Sequence, residues 1–260
     1  MKAAPTLLRV GFALLLLHAA WVSLGETAQA TLCAPYTEGW ALPCAWLHGL
    51  SYLRVALAAL VLARRCARAA LWLSAAAGLL TLFSNTFDYH HNRYALFVYA
   101  IALGVAFAPR GISTLGVLMT RAQCSFIYLV SAGTKLMDPD WSGGAVLRAR
   151  FIWYQEAARA HGVPEACMRA LQRAPVAQAL SLSAIACEFF LALGLWFPRT
   201  RRTATIVGIG FHVLIQLTAK VETFSLMTVL VYLAFWLGTP AMAAEKSEGT
   251  LNKRADISSR

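Results

Sequence analysis

An apolar run ends abruptly within the stretch Tyr128–Gly144, which has the sequence YLVSAGTKLMDPDWSGG. Its first seven residues carry no charge, and Lys135, Asp138 and Asp140 then follow within six positions, directly before Trp141. Ionisable groups at the end of an apolar helix lie where hydrocarbon meets water, and at such a depth they indicate a functional site. The stretch therefore predicts the end of a membrane span and a candidate site at the same place.

The composition of the whole chain is typical of a membrane protein. Of its 260 residues, 59% are hydrophobic and only 13% are charged, and the mean hydropathy is +0.58. The net charge of +11 does not indicate nucleic acid, because the basic residues form short clusters between apolar runs. We expect an all-α polytopic integral membrane protein, a helical bundle whose main partner is the lipid bilayer.

Eight segments are apolar and long enough to cross that bilayer. A spanning helix needs roughly 20 mostly apolar residues, because its backbone groups must be satisfied within the segment. This criterion predicts about eight transmembrane helices, over Leu7–Leu24, Cys44–Ala63, Ala70–Phe87, Tyr94–Ala108, Thr114–Thr134, Val176–Phe197, Thr203–Ala219 and Thr223–Met242. The membrane domain then covers residues 1–244, and residues 245–260 form a polar cytoplasmic tail.

The basic clusters orient these spans. They fall on one predicted side, at Lys2 and Arg9, at Arg64–Arg68, at Arg110, at Arg199–Arg202 and in the tail. The positive-inside rule makes this side cytoplasmic, with both termini inside, as in a multi-pass protein of a bacterial inner membrane. The long connection Lys135–Pro175 then faces outward. Its residues 145–173 mix apolar and basic side chains, which is typical of helices lying in the membrane interface.

The cysteines leave one question open on the outer side. Cys33 and Cys44 lie there, where they form either a disulfide bond or two free thiols. No CxxC pair occurs, which argues against a zinc site or a thiol relay. The amino terminus also resembles a signal peptide with a small-residue site at Ala28–Ala30, and cleavage there would leave the remaining topology unchanged.

The polar stretch resembles a known signature. Its order of Tyr128, Lys135 and Asp140-Trp141, followed by two glycines, is similar to the signature of the HTTM domain. This is the membrane domain of vitamin K-dependent gamma-carboxylase and its bacterial relatives. Further similar pieces follow in the family's order, at Tyr89–Tyr94, Glu188, Arg199–Arg202, Gly210–His212 and Phe224–Met227. The resemblance implies a polytopic helical domain and a lipid-soluble ligand, a quinone or quinol.

Two departures change what this resemblance implies. The carboxylase has two adjacent lysines before the aspartate and tryptophan, the second acting as the base, whereas here Lys135 is followed by Leu136. His91 and Asn92 stand in the reverse order of the family's Asn-His turn. The resemblance thus implies a membrane enzyme acting on a quinone-like or other lipid-soluble substrate, and not carboxylation of peptide glutamate. The alternative is a non-enzymatic membrane partner for maturation, export or immunity of a secreted peptide.

Lys135 and Asp140 are the first candidates for catalysis. Partial desolvation at the end of a span would make Lys135 a base toward a lipid-soluble acid such as a quinol. The alternative is an ion pair of Lys135 with Asp138 or Asp140 that fixes the helix end. Trp141 is the neighbouring binding candidate, either as an interfacial anchor or as a wall for a flat ring.

A second candidate group precedes the fourth span, at Asp88, His90 and His91. Imidazole and carboxylate groups suit zinc or iron, but three residues crowded within four positions, with no second ligand pair, argue against a metal. We expect His91 to carry a proton or donate a hydrogen bond, with Asp88 as a binding residue. The alternative is a solvated turn.

Glu188 and His212 are ionisable residues inside predicted spans. Such groups are expensive in hydrocarbon and face either a partner or a cavity. We expect a structural pair, of Glu188 with His212 or with Arg54 or Arg121, or else a working proton or ligand site. Both residues are therefore binding candidates.

Overall fold

The computed structural model describes residues 4–27, 42–84, 91–108, 111–160, 162–219 and 223–237. This part of the chain is helical apart from one short antiparallel hairpin. The helices are α1 Ala4–Thr27, α2 Cys44–Leu62, α3 Ala67–Ser84, α4 His91–Ala106, α5 Thr114–Met137, α6 Pro139–Ser142, α7 Ala145–Trp153, α8 Gln155–Ala160, α9 Glu165–Leu171, α10 Ala174–Gly194, α11 Pro198–Ala219 and α12 Phe224–Trp236. The hairpin strands are β1 Phe107–Ala108 and β2 Gly111–Ile112.

Five of the described helices, α1, α2, α3, α5 and α10, are long and apolar enough to cross a membrane. The all-helical class and a multi-pass membrane protein are thereby confirmed. Each of the three other predicted spans also contains a helix. The apolar helices α4 and α12 are shorter, and α11 begins with a polar turn that holds Arg199, Arg201 and Arg202. The count of eight spans stays a prediction.

The chain divides into two compact units, residues 1–121 with 233–260, and residues 122–232. In the first unit α1 to α4 pack in sequential order, each helix against the next. Glycines permit this close packing, since a Cβ on Gly78 would lie 2.3 Å from the Phe97 ring and one on Gly104 would lie 2.3 Å from the Trp72 indole. Small residues at helix contacts are typical of membrane proteins, where association depends on close packing.

Arginines close the C-terminal ends of three helices. Arg9 donates to the backbone carbonyls of Val61 and Leu62, at 2.5 and 2.8 Å. Arg121 donates to the carbonyls of Ala234 and Leu237, at 3.0 and 2.6 Å. Arg201 donates to the carbonyls of Leu195 and Trp196, at 3.0 and 3.1 Å. The last carbonyls of a helix lack partners within it, and a cation there also interacts favourably with the helix dipole. Arg121 was one of the alternative partners of Glu188 expected from the sequence, and it binds these backbone carbonyls.

Two further arginines are buried among the helices of the first unit. Arg93 forms a bidentate ion pair with Glu26, at 2.7 and 2.8 Å. Arg54 donates to the Ser23 hydroxyl at 3.2 Å, and its guanidinium carbon lies 5.0 Å from the centroid of the Phe97 ring. Arg54 was another of the alternative partners of Glu188 expected from the sequence, and it makes these two contacts. Its cation is held by aromatic and hydroxyl groups, which hydropathy does not reveal.

Cys44, the first residue of α2, is disulfide-bonded. This decides between the two alternatives left by the sequence in favour of a disulfide, although the predicted partner Cys33 lies outside the described residues. The other described cysteines, Cys66, Cys124, Cys167 and Cys187, form no disulfide bond. The outward position of Cys44 stays a prediction.

The second unit is built on α5, whose C-terminal end leads into the short helices α6 to α9. Asp138 caps α6 by accepting a hydrogen bond from the Asp140 amide at 2.9 Å, and Pro139 occupies the first turn. The predicted helices of residues 145–173 are present as α7, α8 and α9. On α7, Trp153 is 87% exposed and Ile152 is 50% exposed, as suits the predicted interfacial position, which stays a prediction.

Candidate functional site

Lys135 and Glu188 form an ion pair inside the second unit. Nζ of Lys135 lies 2.5 Å from Oε1 of Glu188, and the two side chains are 19% and 5% exposed. The Ser131 hydroxyl, one turn before Lys135 on α5, donates to the same oxygen at 3.1 Å. The other oxygen, Oε2, has no hydrogen-bond partner among the described residues. The site thus combines a half-buried cation with a buried carboxylate that can accept one more hydrogen bond.

This pairing corrects a sequence prediction. Among the described residues the ion-pair partner of Lys135 is Glu188, and not Asp138 or Asp140. The carboxylate of Asp138 is used for the helix cap, and Asp140 is exposed. The catalytic role of Asp140 stays a prediction. Asp138 and Asp140 were expected to pair with Lys135 because they are close to it in the chain. The Glu188 carboxylate on α10 is shielded from bulk solvent, so it gains more from a cation than an exposed carboxylate does.

Trp141 packs beside this pair. The ammonium of Lys135 lies 4.9 Å from the centroid of its ring, and the guanidinium carbon of Arg150 lies 5.5 Å away. Both distances are within the range of cation–π attraction. The backbone carbonyl of Trp141 accepts a hydrogen bond from the Ser181 hydroxyl on α10. Trp141 is half-buried and holds Lys135 in place, so it is more than an interfacial anchor.

Gly144 fixes the Trp141 segment against α10. Its φ of +84° is left-handed, which disfavours any residue with a Cβ. A Cβ there would also lie 2.4 Å from the backbone nitrogen of Gln178 and 2.7 Å from the carbonyl carbon of Ala177. The second glycine of the signature thus serves a close backbone approach, which places Trp141 beside Lys135.

A second polar cluster lies in the same unit, around Tyr128 of α5. The Tyr128 hydroxyl is 2.7 Å from Nε2 of His212 and also forms a hydrogen bond with the Tyr232 hydroxyl. All three residues are buried, and Nδ1 of His212 has no partner among the described residues. The predicted pair of Glu188 with His212 is therefore wrong, because each residue bonds to a different position of α5.

The two clusters share one face of α5. Tyr128, Ser131 and Lys135 are spaced by three and four residues, so they form one row along the helix. Seven residues separate the first from the last, about 10 Å along the axis. Farther along, Ser125 donates to the Ala192 carbonyl at 2.8 Å and accepts from the Trp196 indole at 2.6 Å. α5 therefore presents a continuous row of polar side chains along one face.

Sequence reasoning gave no role to the Tyr128 hydroxyl and missed Tyr232. A tyrosine within an apolar run looks like core. The sequence contained one indication of a close neighbour at His212. Gly208 precedes His212 by four residues and therefore lies on the same face of α11. A Cβ on Gly208 would lie 2.4 Å from the Tyr232 hydroxyl, so this glycine makes room for Tyr232 next to His212.

The other predicted group cannot be placed at the site. Asp88 and His90 lie outside the described residues, and His91 is described only as the first residue of α4. Among the described residues, no group of three histidine, cysteine or carboxylate side chains could hold a metal ion. The roles of Asp88 and His91 stay predictions.

Comparison of this chain with known protein families, curated proteins and solved structures finds no match.

Proposed function

We propose that this protein binds a lipid-soluble acid with a flat ring, of the quinol or quinone-like class, at Lys135, Glu188 and Trp141, and acts on it as a membrane enzyme. The observation that carries the proposal is the buried Lys135–Glu188 pair, which leaves a carboxylate oxygen unpartnered. The resemblance to the HTTM domain supports the ligand class, because Lys135, Asp140 and Trp141 belong to the similar stretch.

The energetics of the pair favour a function over a structural role. Moving a carboxylate and an ammonium out of water costs several kcal/mol per ion, and apolar residues of similar size usually hold helices together at least as well. Ionisable groups within membrane segments therefore indicate ligand or proton sites. Glu188 is 5% exposed and sits on a helix long enough to span the membrane.

The chemistry of the site suits a weakly acidic hydroxyl group. Such a group can donate to Oε2 of Glu188, and the Lys135 ammonium beside Oε1 stabilises the negative charge that forms when the proton leaves. Trp141 offers an aromatic surface for a flat ring next to the ammonium. Leu136 occupies the position of the family's base and is 51% exposed, so the Lys135–Glu188 pair takes the place of that base.

Native mass spectrometry of the protein, gently extracted in a mild detergent, tests this proposal. We expect the unsubstituted protein to carry a lipid-soluble ring compound. Lys135→Met should lower its occupancy roughly tenfold, the effect of losing one hydrogen bond to a charged group. Arg173→Gln, at an exposed arginine of the same unit, is the matched control and should retain the compound.

Equal occupancy in Lys135→Met and Arg173→Gln would contradict the proposed site. A co-purifying peptide in place of a ring compound would favour the alternative function, a membrane partner for a secreted peptide.

The orientation is part of the same proposal, with both termini in the cytoplasm of a bacterial cell and the connection after Met137 outside. Alkaline phosphatase is active only outside the inner membrane. We expect a fusion after Arg260 to be inactive and a fusion after Gly162, between α8 and α9, to be active. The reverse pattern would overturn the orientation.

A further inference from the structure

Four buried polar atoms of the second unit have no hydrogen-bond partner among the described residues, and two of them are Oε2 of Glu188 and Nδ1 of His212. The Glu188 side chain is 5% exposed, and His212 is 1% exposed. Thr223 and Ser225 add two buried hydroxyl groups without a described partner, on either side of Phe224, whose ring packs on His212 at 5.7 Å. Buried polar atoms are rarely left unpaired, so this region has the character of a polar binding site.

The hydrogen bonds of Tyr128 assign the proton of His212. The Tyr128 hydroxyl contacts both Nε2 of His212 and the Tyr232 hydroxyl. It carries one proton, so it donates to one of them and accepts from the other. Because an imidazole nitrogen is a stronger base than a phenolic oxygen, Tyr128 donates to Nε2 and accepts from Tyr232. The neutral ring of His212 then carries its own proton on Nδ1.

The two unpaired atoms therefore have opposite roles. The carboxylate oxygen of Glu188 can only accept a hydrogen bond, and the Nδ1–H group of His212 can only donate one. A single group that satisfies both must donate and accept at once. A hydroxyl group or a water molecule does so, whereas a carbonyl or ether oxygen does not.

The side chains of Glu188 and His212 are bound at neighbouring positions of α5. Ser131 donates to Glu188 at 3.1 Å, and Tyr128 binds His212 at 2.7 Å. These two positions are three residues apart on one helix face, which places their Cβ atoms about 5–6 Å from each other. Glu188 and His212 are thus bound by neighbouring positions of one face of α5 and form no direct bond with each other.

We propose that one O–H group binds between Glu188 and His212, donating to Oε2 and accepting from Nδ1–H. It completes a chain of hydrogen bonds in which every donor points the same way, from Tyr232 to Tyr128, to His212, to the bound group and to Glu188. The bound group therefore joins the Tyr128, His212 and Tyr232 cluster to the Lys135–Glu188 pair.

The O–H group comes either from a buried water molecule or from the hydroxyl of the lipid-soluble ligand. Polar cavities of this kind bind water when two to four partners are present. The inference does not depend on the proposed function, because a water molecule completes the same chain.

Nuclear magnetic resonance of the full-length protein with ¹⁵N-labelled histidine tests this inference. The ring signals of His212 are assigned by their loss in His212→Phe. We expect a neutral ring with its proton on Nδ1, and we expect Glu188→Leu to shift the Nδ1 signal toward that of a nitrogen without a hydrogen bond. His48 of α2, in the first unit, serves as the internal control and should not change.

A proton on Nε2 in the unsubstituted protein would overturn the inference. An Nδ1 signal that stays unchanged in folded Glu188→Leu would also overturn it. Removal of bound lipids by detergent washing then identifies the source. An unchanged Nδ1 signal supports a bound water, and a signal altered by washing supports a ligand hydroxyl.

Discussion

Gly144→Ala is expected to destabilise the protein by about 3 kcal/mol. A left-handed φ costs a residue with a Cβ roughly 1–2 kcal/mol, and overpacking adds about 1–3 kcal/mol. The new methyl group would lie 2.4 Å from the Gln178 nitrogen, a backbone atom that cannot rotate away. Relief requires the turn before α7 to move off α10, which also displaces Trp141 from Lys135. Thermal unfolding in detergent measures the effect.

Gly133→Ala is the matched control for this substitution. Gly133 lies on α5, and no atom lies within 4 Å of its added Cβ. Alanine is the better helix former by about 1 kcal/mol. We therefore expect Gly133→Ala to be as stable as the unsubstituted protein or more stable. Equal stability of Gly144→Ala and Gly133→Ala would show that the close approach to α10 is not required.

Lys135→Met is expected to cost about 3–5 kcal/mol, because it leaves the Glu188 charge buried without its partner. Glu188→Leu should cost less, since the Lys135 side chain is 19% exposed and its ammonium can extend toward water. The double variant Lys135→Met, Glu188→Leu removes both charges and should recover most of the stability. Unfolding of the four proteins in the same detergent gives the coupling between the two sites.

A double variant as unstable as the sum of its two single variants would contradict this expectation. Glu188→Gln is a useful companion, because its amide can still accept the hydrogen bond from Ser131. We expect Glu188→Gln to be more stable than Glu188→Leu in the presence of Lys135.

Hydropathy predicted the membrane class and the end of an apolar helix near Lys135, because both follow from the composition and from the order of residues along the chain. It could not predict which helix faces Lys135. The choice among Asp138, Asp140 and Glu188 depends on how α10 is aligned along α5, and apolar surfaces do not encode that alignment. Buried hydrogen bonds at Ser125 and Ser131 show the alignment, but serines on apolar helices are too common to be informative in sequence.

The arginines show a second limit of prediction from sequence, which concerns the partners of buried cations. Their clustering predicted one side of the membrane, but Arg121 binds the final carbonyls of α12, which are more than 100 positions away in the chain. A single cation within an apolar run suggests a carboxylate partner. Because a helix end offers several unpaired carbonyls, it competes for that cation. Sequence reasoning considered side-chain partners and did not consider backbone ones.

Ligand occupancy of the double variant Lys135→Met, Glu188→Leu tests most directly whether the buried pair exists for binding. This protein lacks both charges and should still fold, so loss of binding cannot be attributed to loss of structure. We expect native mass spectrometry to show a folded protein with at least about a tenfold lower content of the ring compound than the unsubstituted protein. A folded double variant that retains the full content would contradict the proposed site and would assign the Lys135–Glu188 pair a purely structural role.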